Sequence, residues 1–214
     1  MTSSADSITT LLFDLDDTLY HPSSGVWQAI GERINRFMAE RVGIPAERVA
    51  ALREQYFVTF GTTLNGLRAN HGVDPEEYLA FVHDIPLDRL LAEDLQLQAM
   101  LALLPQRKVI FSNADRAHAQ RVLQRLGVVK DFEQIIDIHS LGFINKPEPE
   151  AYLRALTLLG TAGALECAII DDQLRNLLPP KALGMRTVWV HPTGGESGAD
   201  FHIRSILDLP ACLT

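Results

Sequence analysis

Apolar positions along this chain follow two rhythms. Residues 8–15, 107–111 (RKVIF), 134–138 (QIIDI), 166–170 (ECAII) and 186–190 (RTVWV) are short, β-branched apolar runs, and each predicts a buried strand. Between the later runs, residues 115–126, 148–159 and a shorter 180–183 stopped by Gly184 carry the spacing of helices. Strands alternating with helices predict right-handed βαβ crossovers, and so an α/β fold with a doubly wound parallel sheet. Ligands of such sheets bind at the carboxyl ends of the strands.

Residues 21–100 break the alternation. They hold amphipathic segments at 27–41, 45–57, 75–81 and 88–103 and no strand pattern, which predicts an all-helical insertion directly after the first strand. The expected organisation is a core of residues 1–20 and 101–214 carrying a helical domain of residues 21–100. Residues 194–198 read as a loop.

Composition narrows the function classes. At 214 residues with 47% hydrophobic and 21% charged residues, the chain can bury a substantial core and is not a disordered segment. A formal charge of −8 gives no basic stripe for a nucleic-acid polymer, although a small anionic substrate remains compatible with it. Cys167 and Cys212 have no ligand or disulfide spacing and are expected to be buried free thiols. The seven histidines contain no i, i+4 pair, so they are assigned to surface or packing roles rather than to a metal site. With a polar, non-basic stretch at residues 1–7 and no apolar run of ~20 residues, no membrane association is expected. The chain reads as a cytoplasmic monomer or small homo-oligomer.

The chemistry concentrates where the first strand ends, in Phe13-Asp14-Leu15-Asp16-Asp17-Thr18-Leu19. In extended backbone Asp14 and Asp16 point to the same face, at the sheet edge where ligands bind. Two carboxylates held close repel one another, and a divalent cation or a shared proton relieves that repulsion.

This pattern resembles the opening motif of the phosphatases of the haloacid dehalogenase superfamily, an apolar strand followed by Asp-x-Asp-x-Thr. Three further motifs follow in the family's order: Phe111-Ser112-Asn113, Asn145-Lys146-Pro147, and Ile169-Ile170-Asp171-Asp172. The resemblance covers residues 8–191 and implies a magnesium-dependent phosphomonoesterase working through an aspartyl-phosphate on Asp14. Carboxylate and phosphate dianion repel, so Asp14 needs charge neutralisation before it can attack. Mg2+ held by Asp14, the main-chain carbonyl of Asp16 and a carboxylate of the last motif would supply it. Register implies Asp172 as the direct ligand, with Asp171 as an outer or alternative one. Ser112 and main-chain N–H groups from Asn113 onward are implied phosphate donors. Lys146 is implied to hold Asp14 ionised and to offset developing charge. Asp16 would protonate the leaving alkoxide and then deprotonate the attacking water. The dehalogenase branch lacks this second aspartate, because a halide leaves without a proton.

A helical insertion between the first two motifs resembles the family's first type of cap, which selects substrate. Its Phe60-Gly61-Thr62-Thr63-Leu64-Asn65-Gly66-Leu67-Arg68 segment, together with Asp14 to Tyr20, is similar to the pyrimidine 5'-nucleotidase branch. The implied partner is a small phosphorylated metabolite such as UMP or CMP, with Thr62, Thr63 and Asn65 binding the base edge and Tyr56, Phe57 or Phe60 covering its face. Pyridoxal phosphate, sugar phosphates and phosphoglycolate are the substrates of neighbouring branches. A phosphomutase and a non-catalytic binding module are the competing readings, and the intact set Asp14, Asp16, Ser112, Lys146 and Asp172 argues against the second.

Overall fold

The computed structural model describes residues 8–160, 163–195 and 198–213. In chain order the regular elements are β1 (Thr10–Phe13), α1 (Val26–Glu40), α2 (Ala46–Phe60), α3 (Thr63–His71), α4 (Pro75–Val82), α5 (Leu87–Leu90), α6 (Leu95–Leu103), β2 (Arg107–Phe111), α7 (Arg116–Leu126), β3 (Gln134–Ile136), α8 (Pro149–Leu159), β4 (Cys167–Asp171), α9 (Leu178–Ala182), β5 (Arg186–Val190) and β6 (Phe201–Ile203). They form two compact units, Met1–Ser23 with Leu91–Thr214, and Ser24–Leu90.

The first unit is a six-stranded sheet in the order β3-β2-β1-β4-β5-β6. Every pairing is parallel, as the βαβ rhythm predicted. β1 lies inside the sheet with all four residues buried, so it reads as an unbroken apolar run rather than an alternating one. One face of the sheet, through Leu12, Val109, Phe111, Ile136 and Ile169, packs on Ala151, Tyr152, Ala155 and Leu159 of α8. The strand order reverses around β1: Phe13 pairs with Ile110 of β2 on one side and Ile170 of β4 on the other. Asp14 follows immediately at that switch point, where doubly wound sheets bind ligands.

Several elements differ from the sequence-based expectation. β6 has only three residues, too few for an apolar pattern, and it forms because Val188, Trp189 and Val190 of β5 offer it an edge. The helix predicted over 88–103 is divided, because the Asp94 side chain accepts from the N–H groups of Gln96 and Leu97 and starts α6 afresh. The first unit therefore resumes at Leu91 rather than near residue 101. Arg125 donates to the Leu91 carbonyl, and Asp94 N–H to that of Leu126, tying this stretch to α7. Pro179 and Pro180 fall in the first turn of α9, where no N–H is needed, so the helix tolerates them. Of the 194–198 loop, residues 196 and 197 lie outside the described residues, as do residues 1–7. Cys167 and Cys212 are buried free thiols.

The second unit contains only helices. Phe37 of α1 meets Tyr78 and Phe81 of α4 edge to face, which centres its core. Gly61 ends α2 in the left-handed conformation (φ 78°), and Thr62 caps α3 by accepting from the N–H of Asn65. α2 and α3 approach closely because residue 66 is glycine: a Cβ there would lie 2.3 Å from the Tyr56 ring.

Candidate active site

The ends of β1, β2 and β4 and the loop before α8 carry the acidic and basic side chains. Asp14 stays in the ladder, its N–H donating to the Ile170 carbonyl at 2.8 Å. The chain then turns sharply, with Leu19 N–H reaching the Leu15 carbonyl and Asp17 at φ 61°, a conformation aspartate tolerates better than most residues. Thr18 is buried in this turn. Its hydroxyl donates to Asp14 Oδ2 at 3.2 Å and accepts from the N–H of Asp172 at 3.0 Å, joining the first strand's loop to the fourth's.

Lys146 lies between the acids. Its side chain is 1% exposed, and its Nζ donates to Asp14 Oδ1 and Asp171 Oδ2, each at 2.7 Å. Its main chain is clamped: Asn113 accepts from the Lys146 N–H and donates to its carbonyl, which Asn145 also reaches. The Lys146–Pro147 peptide is cis. The Asn113 side chain thus grips the lysine's backbone, a role its place after Ser112 did not reveal. Ser112 is buried one residue past β2, with Oγ accepting from the Ala114 N–H at 3.0 Å.

Asp171 and Asp172 differ sharply. Asp171 is fully buried, and both of its oxygens are engaged: Oδ2 by Lys146, Oδ1 by the Gln173 N–H at 2.8 Å and by Asn176 Nδ2 at 3.0 Å. Asp172 accepts from the side chain of its neighbour Gln173, and its carbonyl accepts from the Trp189 indole at 2.8 Å. One carboxylate oxygen each from Asp14, Asp171 and Asp172 lies within 4.8 Å of the others. This donor set is all oxygen and suits a hard divalent cation. Since Asp171 is already committed to three donors, Asp14 and Asp172 are the better fit.

Electrostatics show the cost of this arrangement. Burial pushes the Asp14 carboxyl up to about 7, even against the attraction of Lys146. Burial, with Asp14 and Asp171 alongside, takes Asp172 to about 8. Burial would by itself lower Lys146, but Asp14 and Asp171 together hold it above its ordinary value, so it stays an ammonium.

Asp16 turns to different partners. Its Oδ1 accepts from the Tyr20 hydroxyl at 2.6 Å and lies 2.8 Å from His118 Nε2. His118 corrects the assignment of the histidines to surface or packing roles: its side chain has no exposure, and it contacts one of the acids. The available signal was its place three residues after Asp115, whose side chain caps α7 by accepting from the His118 N–H. That position puts it in the first turn of the helix following the second motif. Thr62, Thr63 and Asn65 lie in the helical unit at the start of α3. There Thr62 serves as the cap and Asn65 Oδ1 accepts from Arg68, while Thr63 is buried. Tyr56 is buried against Gly66 and bonded to His71, which makes it a packing residue.

Comparison with known proteins follows the same lines. Phosphate metabolism protein 8 of Saccharomyces cerevisiae is 28% identical over 187 residues, 81% of this chain, and the chain spans 58% of that protein's length. Among solved structures, a HAD phosphatase from Thermococcus onnurineus superposes with a TM-score of 0.65 at 19% identity, covering 96% of this chain and 97% of that one. The L-2-haloacid dehalogenase of Xanthobacter autotrophicus gives 0.63 at 17% identity, covering 96% and 98%. These two likenesses are of fold and do not separate phosphatase from dehalogenase. The haloacid dehalogenase-like hydrolase family model matches residues 8–184, spanning all four motifs, and the chain belongs to that family of hydrolases.

Proposed function

We propose that this hydrolase is a magnesium-dependent phosphomonoesterase with Asp14 as nucleophile. The supporting observation is the charge balance at the strand ends, where two buried carboxylates, Asp14 and Asp171, and the half-buried Asp172 cluster beside the Lys146 ammonium. With the carboxylates ionised, as nucleophilic attack by Asp14 requires, the balance is negative before any phosphate dianion arrives, which calls for a further cation. Magnesium, held by one oxygen each of Asp14 and Asp172 and by the Asp16 main-chain carbonyl, would neutralise the incoming dianion.

The chain's own groups account for the remaining chemistry. Lys146 keeps Asp14 ionised and oriented, and Ser112 with the main-chain N–H groups after it holds phosphate oxygens. An Asp14 oxygen attacks phosphorus, the bond to the ester oxygen breaks, and that oxygen takes its electron pair and a proton from Asp16. Water then attacks the aspartyl-phosphate and gives a proton to Asp16, and the bond from phosphorus to Asp14 breaks to release inorganic phosphate. A halide would leave without any proton, so the second carboxylate favours phosphoryl transfer over dehalogenation.

The finer reading takes pyrimidine nucleoside 5'-monophosphates as substrates and rests on residues 61–68 of the helical unit. The test is phosphate release from UMP, CMP, AMP, GMP, pyridoxal phosphate, phosphoglycolate, a sugar phosphate and p-nitrophenyl phosphate, with magnesium or with EDTA, alongside halide release from a 2-haloacid. Magnesium-dependent phosphate release and no halide support the phosphatase, and UMP and CMP with the highest kcat/KM support the nucleotidase. A Thr63→Ala variant should change the ranking of the nucleotides and leave p-nitrophenyl phosphate hydrolysis nearly unaltered. Equal use of purine and pyrimidine nucleotides would refute the nucleotidase reading alone. Halide release without phosphate release would refute both.

A further inference from the structure

We propose that Tyr20 and His118 are positioning residues that hold the Asp16 carboxyl for its proton transfers; this rests on the acid and base role proposed for Asp16. Both converge on a single oxygen, Asp16 Oδ1, one from the same turn and one from a helix far along the chain. Tyr20 is four residues downstream in the same turn, with its hydroxyl at 2.6 Å, and His118 is in the first turn of α7, with Nε2 at 2.8 Å. With the carboxylate ionised, Nε2 must carry the hydrogen and donate it.

A lone aspartate in a loop samples several rotamers, and one that must meet first an ester oxygen and then a water loses rate whenever it points elsewhere. Two donors on one oxygen fix both the rotamer and the plane of the carboxyl. The donors are themselves held. The His118 ring is unexposed and the residue's main-chain N–H donates to the Asp115 cap at 2.8 Å, while Tyr20 is buried. A histidine and a tyrosine spent only on packing would not need to aim polar atoms at the same carboxylate oxygen.

The experiment measures single-turnover phosphorylation of the full-length protein, at saturating magnesium, across phosphate esters whose leaving groups range from p-nitrophenolate to a simple alkoxide. Tyr20→Phe, which removes one oxygen, and His118→Leu should each slow the alkyl esters by about tenfold and the p-nitrophenyl ester by less than about twofold, because only the poor leaving group needs the proton. His118→Gln, which returns an N–H near Nε2, should recover most of the loss. A purely structural role would instead lower the rates of all esters together, and Gln would not rescue His118→Leu. Asp16→Asn run in parallel separates the two levels of the argument. If it steepens the leaving-group dependence and Tyr20→Phe does not, the positioning role is wrong while the role of Asp16 stands. If Asp16→Asn itself leaves the dependence flat, the role of Asp16 falls and the positioning role with it.

Discussion

Replacing Lys146 with methionine keeps an unbranched side chain, one atom shorter, and removes its charge. Two charge-assisted hydrogen bonds of 2.7 Å, to Asp14 and Asp171, disappear from a side chain that is 1% exposed. Breaking one partner out of a buried ion pair costs about 3–5 kcal/mol, mainly because the remaining charge is left uncompensated. Melting shifts by roughly 2–4 °C per kcal/mol in a chain of this size, so the expected loss is about 6–20 °C. Proton uptake sets where in that range the loss falls. Burial already brings Asp14 to about 7, and without the lysine the carboxyl rises further and can neutralise itself below that pH. The loss should therefore be larger near pH 8 than near pH 6, at about the upper and lower parts of that range. The assay is a thermal melt in EDTA followed by tryptophan fluorescence in a Trp27→Phe background. Trp189, on β5, then reports the sheet unit alone. A shift of less than about 2 °C near pH 8 would mean that the ammonium does not hold the two acids, and would refute the charge argument.

Two further outcomes follow from the buried acids and thiols. Asp14 and Asp172 have folded values of about 7 and about 8 against an ordinary 3.8, so between those limits the folded protein holds protons that the unfolded chain has released. Without metal, stability should fall as pH rises through that window. Magnesium requires the ionised acids and should raise the melting temperature more near pH 8 than near pH 5, and equal shifts at the two ends would contradict the proposed ligands. Burial pushes the Cys167 thiol up to about 11, so it should resist iodoacetamide in the native protein at neutral pH and react once the protein is denatured, as peptide mapping would show.

The parts of the fold legible in the sequence are those whose physics is local. β1 and β4 are buried throughout and β2 and β5 for most of their length, so they stand out as apolar runs, and the acids and serine that end β1, β2 and β4 are marked by the change from apolar to polar. Elements set by tertiary contacts were not legible. β6 depends on the open edge of β5, and the break before α6 depends on Asp94 and on bonds to Leu126. Within the site, Asp14, Lys146, Asp171 and Asp172 could be read from their places at strand and helix ends. The bonds of His118 to Asp16 and of Asn113 to the main chain of Lys146 join residues distant in sequence, and that of Tyr20 to Asp16 depends on the sharp turn after β1, which the apolar pattern does not specify. The different surroundings of Asp171 and Asp172 likewise follow from contacts that no spacing shows, since Asn176 and Lys146 bond the first and the Gln173 side chain the second.

If phosphate passes through a covalent bond to Asp14, that bond can be trapped. The protein is mixed with magnesium and p-nitrophenyl phosphate, quenched in acid within one turnover, digested, and its peptides are mapped for a phosphoryl group. The group should appear on Asp14, at a level that rises and decays with the turnover, and it should be absent from Asp14→Asn. Turnover of the phosphate ester with no phosphoryl group on the protein, or with one on another residue, would rule out Asp14 as the nucleophile.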